Sequence, residues 1–300
     1  MKKTLLICAA VLAGLFIALS LMDTGNYAAE KHFWRLQKQF NKIAQDPRAA
    51  PEEAFNKLTE GYRTLYKTYP RAELAPNMLM QVGMVYALQE NYEGAMDSFA
   101  RVIKQHSDNR EIAAQALLNI GKTYEIQKNI QAALQTYRQV VDTYPLTDVG
   151  MNTPLFIANL YRAIDEPEEE RKAYDEAVVF YKKVALEQPR SRLEFDALRL
   201  LSTVYLAQEK WQQALDVLEE VLLKYPSPAY LNAKRANLLL KTVSLVAVNK
   251  LEDPAAAIKI FRNFMEKNDG HPISSYLDGL IGSLKEIEEG KTAAPAAEKE

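Results

Sequence analysis

Cysteine is almost missing from this chain: Cys8 is the only one in 300 residues, so nothing after it can form a disulfide or supply a thiol nucleophile. Histidine is scarce as well. His32, His106 and His271 have no second histidine three or four positions away, so the ligand spacing of a zinc site does not occur. An excess of charge of either sign is also lacking. The 37 Lys and Arg against 39 Asp and Glu leave a formal net charge of -2 and a pI near 6.1, without the basic footprint that a phosphate backbone requires, so nucleic acid is not an expected partner.

Three short motifs suggest chemistry and then fail on context. Asp23-Thr24-Gly25 spells an aspartic-protease triplet, but that reaction needs two carboxylates held together in β-rich lobes, and a turn is the simpler reading. Gly290-Lys291-Thr292 has the end of a phosphate loop, yet Lys285 stands where its first glycine belongs. The acidic run at residues 165–170 lacks the Gly-punctuated oxygen spacing of a calcium loop. Pro167 followed by three glutamates starts a helix instead. His106 and His271 are placed near helix C-termini, and His32 on a helix surface. No catalytic residue, metal site or cofactor is expected.

One long apolar run is present, residues 4–22, preceded by Lys2 and Lys3. At about 1.5 Å per residue it is roughly as long as a hydrocarbon core is thick. Residues 1–24 therefore read as a retained signal-anchor or as a cleaved signal peptide, with Ala18 and Ser20 as small residues before a cut. Either way the remainder is exported, to the periplasm if the host has two membranes, with the lysines on the cytoplasmic side. Cys8 follows Leu5-Leu6-Ile7, too early for a lipoprotein cysteine.

What fills residues 25–288 is repetition. Pro70, Ser107, Pro145, Pro189 and Pro226 close similar segments, spaced by 37, 38, 44 and 37 residues. Aligned on them, one segment carries Gly83, Tyr86, Ala95 and Phe99, the next Gly121, Tyr124, Ala133 and Tyr137, and a later one Ser202, Tyr205, Ala214 and Leu218. Small residues let two antiparallel helices approach closely while large ones fill the space beside them. The spacing of 44 reflects the acidic insertion at residues 165–172. In the first segment Trp34 begins a helix. In the sixth, Ala257, Phe261 and Phe264 mark a second helix, and residues 273–287 form an amphipathic cap. Residues 289–300 have no aromatic or branched apolar side chain beyond the helix and read as a disordered tail.

This pattern resembles the tetratricopeptide repeat (TPR), and the lengthened units resemble the bacterial envelope variety of outer-membrane assembly and TolA-binding proteins. The resemblance implies an all-α fold: a right-handed superhelical solenoid of tetratricopeptide-like helix pairs behind an N-terminal transmembrane or signal helix. It also implies that the first helix of each pair lines a concave groove. On that register the expected peptide-binding positions are Asn77, Met84, Asn119, Lys122, Phe156, Asn159, Arg162 and Arg199, with Met80, Gln81, Gln115, Glu125, Asn152, Asp196 and Thr203 beside them. Asn and Gln can pair with an extended backbone, and the cations can hold an acidic or C-terminal group. The expected function is a non-enzymatic protein-binding scaffold of the bacterial envelope, tethered to the inner membrane with its repeats in the periplasm. The alternatives are a self-associating spacer or a platform for an envelope-processing enzyme.

Overall fold

The computed structural model describes residues 26–290. Among these residues all regular structure is helical and no strand occurs. Helix α1 covers residues 26–45, and a 3-10 turn at Pro47–Ala49 leads to α2 (Glu52–Thr68). There follow α3 (Ala75–Leu88), α4 (Tyr92–Gln105), α5 (Arg110–Ile126), α6 (Ile130–Thr143), α7 (Asp148–Ala163) and α8 (Pro167–Glu187). The series ends with α9 (Arg192–Ala207), α10 (Trp211–Lys224), α11 (Ala233–Asn249), α12 (Pro254–Lys267) and α13 (Ser274–Glu288). Two compact units divide between Thr153 and Pro154, inside α7. No helix among the described residues is long and apolar enough to cross a membrane. The apolar run at 4–22 lies outside the described residues, as do residues 291–300 of the expected tail.

In the first unit α1, α2 and α3 share a core of Ala29, Phe33, Phe40, Phe55, Leu58, Tyr62 and Met78. Trp34 does not begin the helix. It sits one turn or more into α1 on the outer face, 59% exposed, because Ala29, Phe33 and Phe40 set the buried stripe. The next pair locks at Gly83, where an added Cβ would come within 2.5 Å of the Phe99 ring. The pair after it repeats this lock at Gly121, where a Cβ would stand 2.4 Å from the Tyr137 ring. Hydrogen at those two glycines is what lets an aromatic ring of the second helix lie flush on the first. Ala95 and Ala133 are fully buried beside them, while Tyr86 and Tyr124 are half-buried at the edge. Tyr137 also donates to Glu125 at 2.7 Å, and burial together with that bond raises its hydroxyl pKa above the ordinary range.

The second unit builds the same pairing without glycine at the close contact. Ser202, Tyr205, Ala214 and Leu218 are all buried. Ala257, Phe261 and Phe264 of α12 join Leu240 and Val243 of α11 and Leu277, Ile281 and Leu284 of α13 in one core. The outer face of α13 carries Asp278, Lys285 and Glu286, all exposed, which suits a terminal helix facing water.

Four of the elbows inside the pairs are alike to the bond. Glu90, Lys128, Asp165 and Glu209 each adopt a left-handed conformation, with φ of 59°, 60°, 60° and 57°. Each donates its N–H to the carbonyl three residues back, and the following residue donates to a tyrosine carbonyl, that of Tyr86, Tyr124, Tyr161 or Tyr205. That is the double bond pattern of a Schellman motif, made four times without glycine. Asn91 and Asn129 then cap the next helix through their side chains. At the other end of four pairs, Tyr69, Tyr144, Gln188 and Tyr225 leave the helix at φ between -121° and -127°. A proline follows each, and proline disfavours helical geometry in the residue before it.

Candidate functional site

The first helix of each pair has one face not used in packing, and those faces differ between the units. In the first unit α3 is mostly apolar, with Asn77 and Gln81 as its polar side chains, and none of its residues from Ala75 to Leu88 is exposed. Asn77 and Met84 are half-buried there, and Met80 is buried. Asn119 of α5, expected to offer its amide to a ligand, is 8% exposed. Its amide donates to the sulfur of Met80 at 3.3 Å and approaches that of Met84 at 3.9 Å, while Gln115 donates to its oxygen at 3.1 Å. The amide therefore ties α5 to α3. Lys122 is exposed on α5.

The second unit offers more accessible polar surface. Phe156 is 40% exposed and Asn159 is exposed on α7. Arg162 points instead toward α8. Its guanidinium donates to Glu170 at 2.7 Å and to the Tyr174 hydroxyl at 2.8 Å, with the ring of Tyr174 5.7 Å away. This makes Arg162 a brace within its own pair. On α9 the accessible row is Arg192, Asp196, Arg199 and Thr203, where Asp196 lies 3.4 Å from Arg192 and 3.8 Å from Arg199.

The register drawn from the sequence ends at Thr203 and misses the row on α11. There Lys234, Leu238 and Lys241 are exposed one turn apart, Leu238 at 68%. The signal was available: α11 holds Lys234, Arg235 and Lys241 and not one acid. Arg235 lies over the Phe195 ring at 5.9 Å, so a side chain from the start of α11 reaches α9. Acids gather on α8, with Glu168, Glu169 and Glu170, and on α10, with Asp216, Glu219 and Glu220, whereas α12 carries Lys259, Arg262 and Lys267 against Glu266.

Behind the α9 row is a buried carboxylate. Glu194, 3% exposed, accepts from the Arg190 N–H and the Tyr225 hydroxyl, both at 2.5 Å, and pairs with Lys224. Burial alone would raise its pKa, but the bonds from Lys224, Tyr225 and Arg190 outweigh that and hold the carboxyl below its usual value. Among the described residues, no three His, Cys, Asp or Glu side chains gather as metal ligands.

Helix pairs locked by a small residue against a large one, with elbows repeated bond for bond, define a helical repeat protein. The repeat can be named: residues 74–145 and residues 170–238 each match a tetratricopeptide-repeat family model, and the chain carries tetratricopeptide repeats there. Repeats of this class mediate protein–protein interaction. No curated protein matches the chain. Among solved structures, a tetratricopeptide repeat protein from Parabacteroides merdae is 13% identical at a TM-score of 0.33, over 85% of this chain and 99% of its own. A thermophilic one from Thermus thermophilus is 16% identical at 0.38, over 70% and 99%. The TPR2AB domain of yeast Sti1, in a complex with pHSP90, is 12% identical at 0.32, over 86% and 99%.

Proposed function

We propose that the chain is a non-enzymatic scaffold that holds a segment of a partner protein against the accessible faces of its first helices, chiefly the rows on α9 and α11. The observation that carries this reading is the row of accessible cations on α9 and α11 with an exposed leucine among them. Arg192, Arg199, Lys234 and Lys241, interrupted by Asp196 alone, stand on the first helices, and Leu238 is left exposed among them. An acidic segment with an apolar residue suits that surface, since rim charges set association rate and register. The test is charge reversal. Arg199→Glu with Lys234→Glu should lower partner recovery by in-cell crosslinking about tenfold or more at low salt. Lys259→Glu with Arg262→Glu on α12 should leave it unchanged. Equal recovery from both variants would remove the site from these faces, and concentration-dependent sedimentation of the unmodified chain without any partner would favour a self-associating spacer.

We further propose the cell envelope as the setting, with residues 4–22 as an inner-membrane anchor and the repeats in the periplasm, as in the outer-membrane assembly and TolA-binding type. The uncharged run and the two lysines before it support this. In cell fractionation the full chain should stay in the membrane pellet through high salt and carbonate. A soluble species beginning near Leu21 would establish cleavage instead.

A further inference from the structure

Helix α1 has an unusual outer face. Opposite the buried stripe of Ala29, Phe33 and Phe40, it presents Tyr27 at 67% and Trp34 at 59% exposure. These rings stand seven residues apart, so they share a face, and Lys31 and Lys38 lie on the same row at helical spacing. Arg35 and Lys42 flank it, and Glu30 is the only acid in the helix. The rings that fill the first core are Phe33, Phe40, Phe55 and Tyr62, and Trp34 touches it edge-on at Phe33, 6.1 Å away, leaving most of its surface in water. Exposing a tryptophan and a tyrosine to water gives up apolar burial worth more than most surface positions offer.

We propose that this face of α1 lies on an anionic lipid bilayer, with Tyr27 and Trp34 at headgroup depth and Lys31, Arg35, Lys38 and Lys42 against the headgroup charges. Tyrosine and tryptophan, apolar bodies with one polar atom, settle at the boundary between hydrocarbon and water. Lysine and arginine stems follow them while the charged ends stay among anions. The choice of lipid over protein rests on two observations. The aromatic–basic row reads as an interfacial helix, four cations to one acid, and the uncharged run at residues 4–22 ends four residues before α1 begins. The proposal is separate from partner capture on α9 and α11, and it requires contact by α1 itself whatever residues 4–22 do.

Trp34 is its own reporter. The full chain is mixed with vesicles of equal parts phosphatidylglycerol and phosphatidylcholine whose acyl chains are brominated near the headgroup, and vesicle flotation is scored in the same samples. Part of the tryptophan emission should shift to the blue and be quenched, and Trp34→Phe should abolish that part while Trp211 emission persists. Lys31→Glu with Lys38→Glu changes four charge units, so lipid contact by α1 should fall roughly a hundredfold or more. Three results would each overturn the proposal: a chain that floats with unquenched Trp34, which puts the face in water or against protein; quenching equal in pure phosphatidylcholine and in the charge-reversed variant; or no flotation at all. None of these depends on the α9 and α11 rows, so a failure here leaves partner capture standing.

Discussion

Replacing Gly150 by alanine is expected to cost about 3 kcal/mol, lowering the unfolding midpoint of the first unit by about 6–12 °C. Gly150 lies in the first turn of α7, and a Cβ there would stand 1.9 Å from the carbonyl oxygen of Tyr144 and 2.8 Å from its carbon. That carbonyl cannot step aside. It accepts from the Thr147 N–H at 3.2 Å and the Thr147 hydroxyl at 2.8 Å, and the same hydroxyl accepts from the Gly150 N–H at 2.9 Å, capping the helix. Glu111 of α5 fixes the turn from outside, accepting from the N–H groups of Asp148 and Val149 at 2.9 and 3.2 Å. At Gly83 and Gly121 the obstacle is the edge of a ring, which can shift by rotation; at Gly150 it is backbone. Gly279 of α13 has open space around it, so alanine there should be neutral or slightly stabilising and serves as the control. Thermal unfolding followed by circular dichroism decides it, and an unchanged midpoint for Gly150→Ala would mean that the turn at Tyr144 relaxes freely.

Loss of the Glu194 carboxylate should be comparably severe in the second unit. Glu194→Ala leaves the Arg190 N–H and the buried Tyr225 hydroxyl without their acceptor and Lys224 without its partner, an expected cost of about 3 kcal/mol in denaturant unfolding. Lys224 keeps partial access to water, which places the figure at the lower end for a broken buried pair. The pH dependence has a definite sign. The folded-state pKa of Glu194 is held below its unfolded value, so its stabilisation is complete above the ordinary glutamate pKa of about 4.3 and is lost as pH falls through the folded value. Lys224 is shifted the other way, chiefly by its bond to Glu194, and Tyr225 is raised by burial and by the same carboxylate. Their share is present below their unfolded values, about 10 for both, and disappears as pH rises past them. The gap in stability between the unmodified chain and Glu194→Gln should therefore be widest between about pH 5 and 9 and close on the acid side. A gap that widens on acidification would contradict this network.

The repeat is legible in the sequence because its geometry needs particular residues at particular places. The Phe99 and Tyr137 rings lie so close that a side chain at Gly83 or Gly121 would displace them, and a proline after Tyr69, Tyr144, Gln188 or Tyr225 leaves the helix little choice but to stop. Depth is harder to read. Asn119 and Glu194 look like surface residues by composition, and nothing local reveals that two methionine sulfurs or a lysine and a tyrosine wait for them. Gly150 gives no signal in the sequence because the atom it avoids belongs to the backbone. The face of α1 misleads for the opposite reason: a tryptophan suggests the start of a packed helix, and this one lies on the open side.

The four elbows at Glu90, Lys128, Asp165 and Glu209 carry a consequence for the history of the chain. Each closes its backbone hydrogen bonds within a handful of consecutive residues; only side chains beside Glu209, those of Gln208 and Lys210, reach a neighbouring pair, at Asp175 of α8. A gene segment encoding one elbow with its two helices could therefore be copied, deleted or exchanged without spoiling the elbows on either side. The bonds that reach from one pair to the next, such as Glu111 to the start of α7, are the ones a fresh copy would have to reinvent. Divergence among the copies should then concentrate at such junctions, while the elbows keep their shape even where glycine, the residue best suited to them, never arrived.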